Sequence, residues 1–119
     1  MVVVEAARAA VGARFRLHGR EPATGLDCVG LAAWATGLPA PTGYALRGGE
    51  PGRVMGALDA AMARGDGPGA VLLMRTGPGQ LHLGIRTEAG FVHADAGLRR
   101  VVERPGEPPW PVLGSWVPR

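Results

Sequence analysis

Apolar positions recur at helical spacing in the first half of the chain and at strand spacing in the second. Over residues 2–13, Val3, Ala6, Ala7 and Ala10 fall on one face and Val11 extends it, which predicts a helix. Cys28 to Ala35 is a second apolar stretch, with Asp27 placed to cap its start and Gly37 and Pro39 to stop it. Pro51 opens a third helical pattern through Val54, Ala57, Leu58, Ala61 and Met62, ended by Gly65. After Gly69 the period changes. Ala70 to Met74 is a short apolar run suited to a buried strand. Gln80 to Thr87 alternates, with Leu81, Leu83 and Ile85 on one face and His82, Gly84 and Arg86 on the other. Phe91 to Asp95 alternates too, and Glu88-Ala89-Gly90 between them reads as a hairpin turn. Leu98 to Glu103 suits a further strand, and Ser115-Trp116-Val117 a closing edge strand. Helices followed by strands argue for an α+β fold with an antiparallel sheet.

The 119 residues make one domain, 1–119, without repeat or linker. The segments 38–50 and 105–111, rich in Pro and Gly, read as surface loops. No run approaches the ~20 apolar residues that a membrane span needs, so no membrane partner is expected. The N-terminal stretch lacks a basic region ahead of its apolar residues and is interrupted by Glu5 and Arg8, so a start in the cytoplasm without a signal peptide is expected. All 13 basic residues are Arg, and Lys and Asn are absent. The net charge of +3 favours anionic surfaces only weakly. The arginines are scattered and no aromatics interleave with them, so nucleic acid is not an expected partner.

Cys28 is the only cysteine, which excludes an internal disulfide and a cysteine-based zinc cluster. At a helix start, unpaired N–H groups and a partial positive charge stabilise a thiolate and lower its pKa. The same N–H groups can hold the oxyanion of a tetrahedral intermediate. Gly25 and Gly30 leave room for close backbone approach. A small buried hydrophobe is the alternative reading of such a cysteine.

A thiolate nucleophile needs a base, and the chain offers His18, His82 and His93. In a tight hairpin, paired residue numbers sum to a constant. A sum of 175 places His82 opposite His93, a sum of 177 places them diagonally on one face, and an even sum separates them. On one face beside Cys28 they would form a Cys–His–His triad, His82 taking the thiol proton and His93 fixing its tautomer. With no Asn in the chain, the orienting residue is His93, Gln80, Asp95 or another acid. No two histidines lie at i, i+4 on a helix, so no metal site or cofactor is expected. Ser115, the only serine, has no Gly-x-Ser-x-Gly context.

Four stretches, in order, resemble the NlpC/P60 family of cell-wall peptidases. Phe15-Arg16-Leu17-His18-Gly19 is similar to its Tyr-Arg-x-Gly-Gly segment. Gly25-Leu26-Asp27-Cys28-Val29-Gly30-Leu31 is similar to its Gly-x-Asp-Cys-Ser-Gly-Leu nucleophile motif. His82-Leu83-Gly84-Ile85 is similar to its His-Val-Gly-Ile base strand, and Phe91-Val92-His93-Ala94 to its Ile-His-Ala strand. The compact branch associated with phages and gene-transfer agents fits best. The resemblance implies a papain-like fold, Cys28, His82 and His93 as catalytic residues, and hydrolysis of the γ-D-glutamyl–diaminopimelate bond in peptidoglycan stem peptides. It further implies phage-like tail proteins as partners and delivery to the cell wall with such a particle. Asp27, Phe15 and His18, together with Tyr44 of the 38–50 loop, are the expected substrate contacts.

Three departures qualify the match. Phe15 stands where the family has Tyr, His18 where it has Gly, and Val29 where it has Ser. Two other functions share these residues: a papain-like amidase or acyltransferase on another substrate, and a catalytically weak tail-tip or scaffold component that binds cell wall.

Overall fold

A computed structural model of the chain describes residues 2–40, 46, 48 and 50–119. Helix α1 (Val2–Ala9) is followed by a two-stranded ribbon, β1 (Arg20–Glu21) with β2 (Gly25–Leu26). Helix α2 (Cys28–Thr36) follows directly, then α3 (Pro51–Ala61). The remainder is strand: β3 (Ala63–Arg64), β4 (Val71–Gly77), β5 (Gln80–Arg86), β6 (Gly90–Asp95), β7 (Arg100–Pro105) and β8 (Val112–Val117). These six form one antiparallel sheet in the order β3-β8-β4-β5-β6-β7. The expected α+β architecture is the one observed.

Helix α2 is apolar on nearly all sides because it is enclosed, with Cys28, Val29, Gly30, Leu31, Ala32 and Ala35 buried. Asp27 caps its start in extended backbone, and its carboxylate accepts from the Gly30 N–H at 2.8 Å. Gly37 ends it in the left-handed conformation (φ 72°), its N–H donating to the Ala33 carbonyl. Gly30 has a packing reason as well. A Cβ there would lie 1.9 Å from the Gly19 carbonyl oxygen, so only glycine lets the 15–19 loop settle on the helix. That loop flanks the site, and this close approach is the one expected of Gly30.

The helices cover one sheet face, burying Leu81, Leu83, Ile85, Val92 and Ala94. A smaller cluster, Leu72, Met74 and Phe91, lies on the other face under Trp110. Strand β4 is enclosed from both sides, which explains its uninterrupted apolar run: Val71 to Met74 are all fully buried.

Four expectations need correction. The third helix ends at Ala61 rather than at Gly65, because Ala63 and Arg64 pair with β8 as strand β3. The first helix ends at Ala9 rather than residue 13, because the Gly12 N–H is drawn to the Val101 carbonyl of β7 at 2.8 Å with φ 92°. Val4 takes the buried place, and Val11 is left exposed. The last strand is not an edge. β8 pairs with β4 on one side and β3 on the other, and the two-residue β3 supplies the edge. The strand expected from Leu98 begins at Arg100, since Asp95 Oδ1 accepts from the Leu98 N–H and Arg99 takes φ 61°, holding residues 96–99 in a turn.

Candidate active site

The β5–β6 ladder pairs Ile85 with Val92 and Arg86 with Phe91, a sum of 177. His82 and His93 therefore sit diagonally on one face, the second of the two geometries that parity allowed. His82 Nε2 and His93 Nδ1 are 2.9 Å apart, hydrogen-bonded, with the rings nearly perpendicular. A cavity of about 720 Å³ opens here. Cys28 reaches it from the start of α2, and Phe15, His18, Asp27 and Trp110 also line it. The structure thus brings six of the seven sequence-predicted site residues to one cavity. The seventh, Tyr44, lies outside the described residues.

Each of the six has a distinct place. Asp27 is buried and fully engaged: Oδ1 accepts from Gly30 N–H and from the Arg20 guanidinium, both at 2.8 Å, and Oδ2 accepts from the His18 N–H at 2.8 Å. Its carboxylate thus ties the helix start to the 15–20 loop. Cap and loop anchor are its structural duties. His18 takes φ 62°, a conformation that Gly adopts more readily, and its exposed imidazole borders the cavity. Phe15 packs its ring against the main core and forms part of the wall.

Cys28 departs from the expectation of a lowered thiol pKa. Backbone groups of Leu83 in β5 and, at the helix start, of Val29 and Cys28 favour the thiolate. Burial outweighs them and, with the Asp27 carboxylate nearby, pushes the thiol up to about 12. His82 is displaced the other way, held down to about 4 by burial and then by the neighbouring His93, against the Asp95 charge. His93 is lowered by burial as well. At neutral pH the site therefore rests as a neutral thiol and two neutral imidazoles.

The pattern of the chain did not disclose Trp110. It comes from the loop before β8 and closes over the histidine pair, its ring centroid 6.1 Å from that of His82 and 5.6 Å from that of His93. Phe91 packs on His93 from below at 5.0 Å, and Arg104 stacks over both Phe91 and Trp110. This aromatic wall desolvates the pair. A tryptophan isolated in a Pro-rich loop was the one available signal. Among the described residues, no group of three or more His, Cys, Asp or Glu side chains is arranged to hold a metal ion.

The fold is similar to that of an NlpC/p60 domain of known structure. The crystal structure of the NlpC/p60 domain of peptidoglycan hydrolase SagA aligns with a TM-score of 0.59 at 20% sequence identity, covering 87% of this chain and 86% of that one. No protein-family model matches the sequence, and no curated protein matches it.

Proposed function

We propose that the protein is a cysteine peptidase that hydrolyses peptidoglycan stem peptides, with Cys28 as nucleophile, His82 as base and His93 as the residue that orients the base. The observation that carries the reading is the hydrogen-bonded His82–His93 pair in a cavity that Cys28 also lines. The fold shared with a peptidoglycan hydrolase domain supports the substrate class. The four motif resemblances support the finer choice of the γ-D-glutamyl–diaminopimelate bond. A cavity of this size takes a short peptide rather than a folded protein.

The chemistry follows from the neutral resting state. The hydrogen bond to His93 occupies His82 Nε2 and leaves Nδ1 to receive the thiol proton. Because burial disfavours both the thiolate and the imidazolium, that proton moves as sulfur attacks the carbonyl carbon rather than beforehand. The Cys28 and Val29 N–H groups at the start of α2 stabilise the oxyanion, the Gly30 N–H being held by Asp27. The C–N bond then breaks, the leaving amine takes the proton from His82, and a thioester remains on Cys28. Water, deprotonated by His82, resolves it to the acid. No metal or cofactor enters these steps. Phe15 and His18, which line the same cavity, are proposed to contact the stem peptide. Delivery by a phage-like tail belongs to the same proposal, and co-purification with tail proteins tests it.

The buried, neutral thiol favours one rival, a cell-wall-binding component in which Cys28 is inert. Incubation with defined muropeptides and with purified sacculi separates the two. The peptidase reading expects two new products whose masses locate a cut between γ-D-Glu and diaminopimelate. Co-sedimentation with sacculi without any released peptide would instead establish the binding component. Cleavage of simple amides but not of stem peptides would move the assignment to an amidase.

A further inference from the structure

The histidine pair leaves one atom unexplained. His93 is almost wholly buried, Nδ1 is hydrogen-bonded to His82, and among the described residues Nε2 has no hydrogen-bond partner. A buried ring nitrogen in that state is costly if it carries a proton and costs less if it does not. The carboxylate of Asp95, two residues along β6 on the same face, places Oδ2 at 4.0 Å from Nε2. A side-chain rotation of about 1 Å would bring the two to hydrogen-bond length. The other oxygen, Oδ1, accepts from the Leu98 N–H at 3.0 Å, so the carboxylate is anchored through Oδ1 and Oδ2 is the oxygen 4.0 Å from His93 Nε2. Asp95 also borders the cavity. The other charge acting on His93 is Arg104, across the ladder from Phe91.

We propose that Asp95 is a positioning residue that sets the tautomers of both histidines, a role that rests on the catalytic reading above. A carboxylate facing Nε2 requires the His93 proton to be there. His93 Nδ1 then carries only a lone pair and accepts from His82 Nε2–H. His82 Nδ1 is thereby left unprotonated, the state a base needs. Three residues thus pass one piece of information, where the proton sits, from Asp95 to the thiol.

The isosteric change Asp95→Asn inverts this logic without disturbing the turn. The Leu98 N–H demands the side-chain oxygen, so the amide NH₂ must face His93 Nε2 and donate to it. His93 becomes protonated at Nδ1, donates to His82 Nε2, and leaves His82 protonated at Nδ1. The base then presents a proton where it should present a lone pair. The test is ¹⁵N NMR of histidine-labelled wild-type and Asp95→Asn protein at neutral pH, with stem-peptide kinetics alongside. Wild type is expected to show both His82 and His93 protonated at Nε2, and the variant both at Nδ1. A fall in kcat of about tenfold or more should follow, with KM within about twofold. Three results would each overturn the proposal: His93 protonated at Nδ1 in the wild type, ring nitrogens unchanged in Asp95→Asn, or an effect confined to KM. If the nitrogens invert as expected but neither protein cleaves stem peptides, the tautomer role stands and the peptidase reading falls. If Cys28→Ala abolishes cleavage while Asp95→Asn leaves every nitrogen unchanged, only the role of Asp95 falls.

Discussion

Replacing Asp27 with alanine separates a structural duty from a substrate contact. The carboxylate makes three interactions, and each has a magnitude. Loss of the cap on Gly30 N–H removes about 1 kcal/mol. The His18 N–H, donating to a charged and buried acceptor, contributes about 1–1.5 kcal/mol more. The Arg20 pair adds at most a few tenths, because the guanidinium is 40% exposed and screened by solvent. The sum is about 2–3 kcal/mol, a large share of the stability of a domain this size. Asp27→Asn should lose about 1 kcal/mol or less, since Asn caps a helix as well as Asp. Urea unfolding followed by far-ultraviolet circular dichroism measures both, and the midpoint should fall with little change in slope. An Asp27→Ala protein within about 0.5 kcal/mol of wild type would refute the assignment of Asp27 as cap and loop anchor.

Other consequences follow from the same geometry. Gly30→Ala forces a Cβ to within 1.9 Å of the Gly19 carbonyl oxygen, and a loss of about 2 kcal/mol or more is expected in the same unfolding assay. The base is neutral His82, held down to about 4, so kcat/KM should stay level from neutral pH to about pH 5 and fall only near pH 4; an acid limb near 6.5 would contradict the burial argument. The same shift links to stability. The unfolded chain takes up the His82 proton near pH 6.5 and the folded one only near 4, so stability present above 6.5 is lost as pH falls between them, by up to about 3 kcal/mol. Trp110→Ala admits water to the histidine pair, and the acid limb of kcat/KM should move up by about one pH unit, read from a pH–rate profile.

Residues whose role is set by near neighbours were legible in the sequence. Asp27 and Gly37 bracket α2 because capping is local chemistry, and Pro51 opens α3 for the same reason. The hairpin alternation placed His82 and His93 on one face once parity was granted, and the structure supplies the odd sum. Features that depend on distant chain were not legible. Trp110 reaches the histidines from a loop whose pattern carries no period. β1 and β3 have two residues each, too few for alternation to register. The inward place of β8 depends on β4 lacking a second neighbour, a property of the assembled sheet. The thiol illustrates a competition between scales. A helix start argues locally for a low pKa, and the packing around Cys28, invisible along the chain, reverses it. The duties of Asp27 toward His18 and Arg20 were likewise hidden, because the 15–20 loop folds back onto the helix only in three dimensions.

The central claim is that Cys28 carries out covalent catalysis on a stem peptide. The most direct measurement is the rate of cleavage of a defined diaminopimelate-containing muropeptide by wild type and by Cys28→Ala, with circular dichroism confirming that both are folded. Removal of one thiol changes little volume, so the fold should persist, and cleavage should fall by about a thousandfold or more, to background. A folded Cys28→Ala protein that cleaves the muropeptide at the wild-type rate would contradict the account.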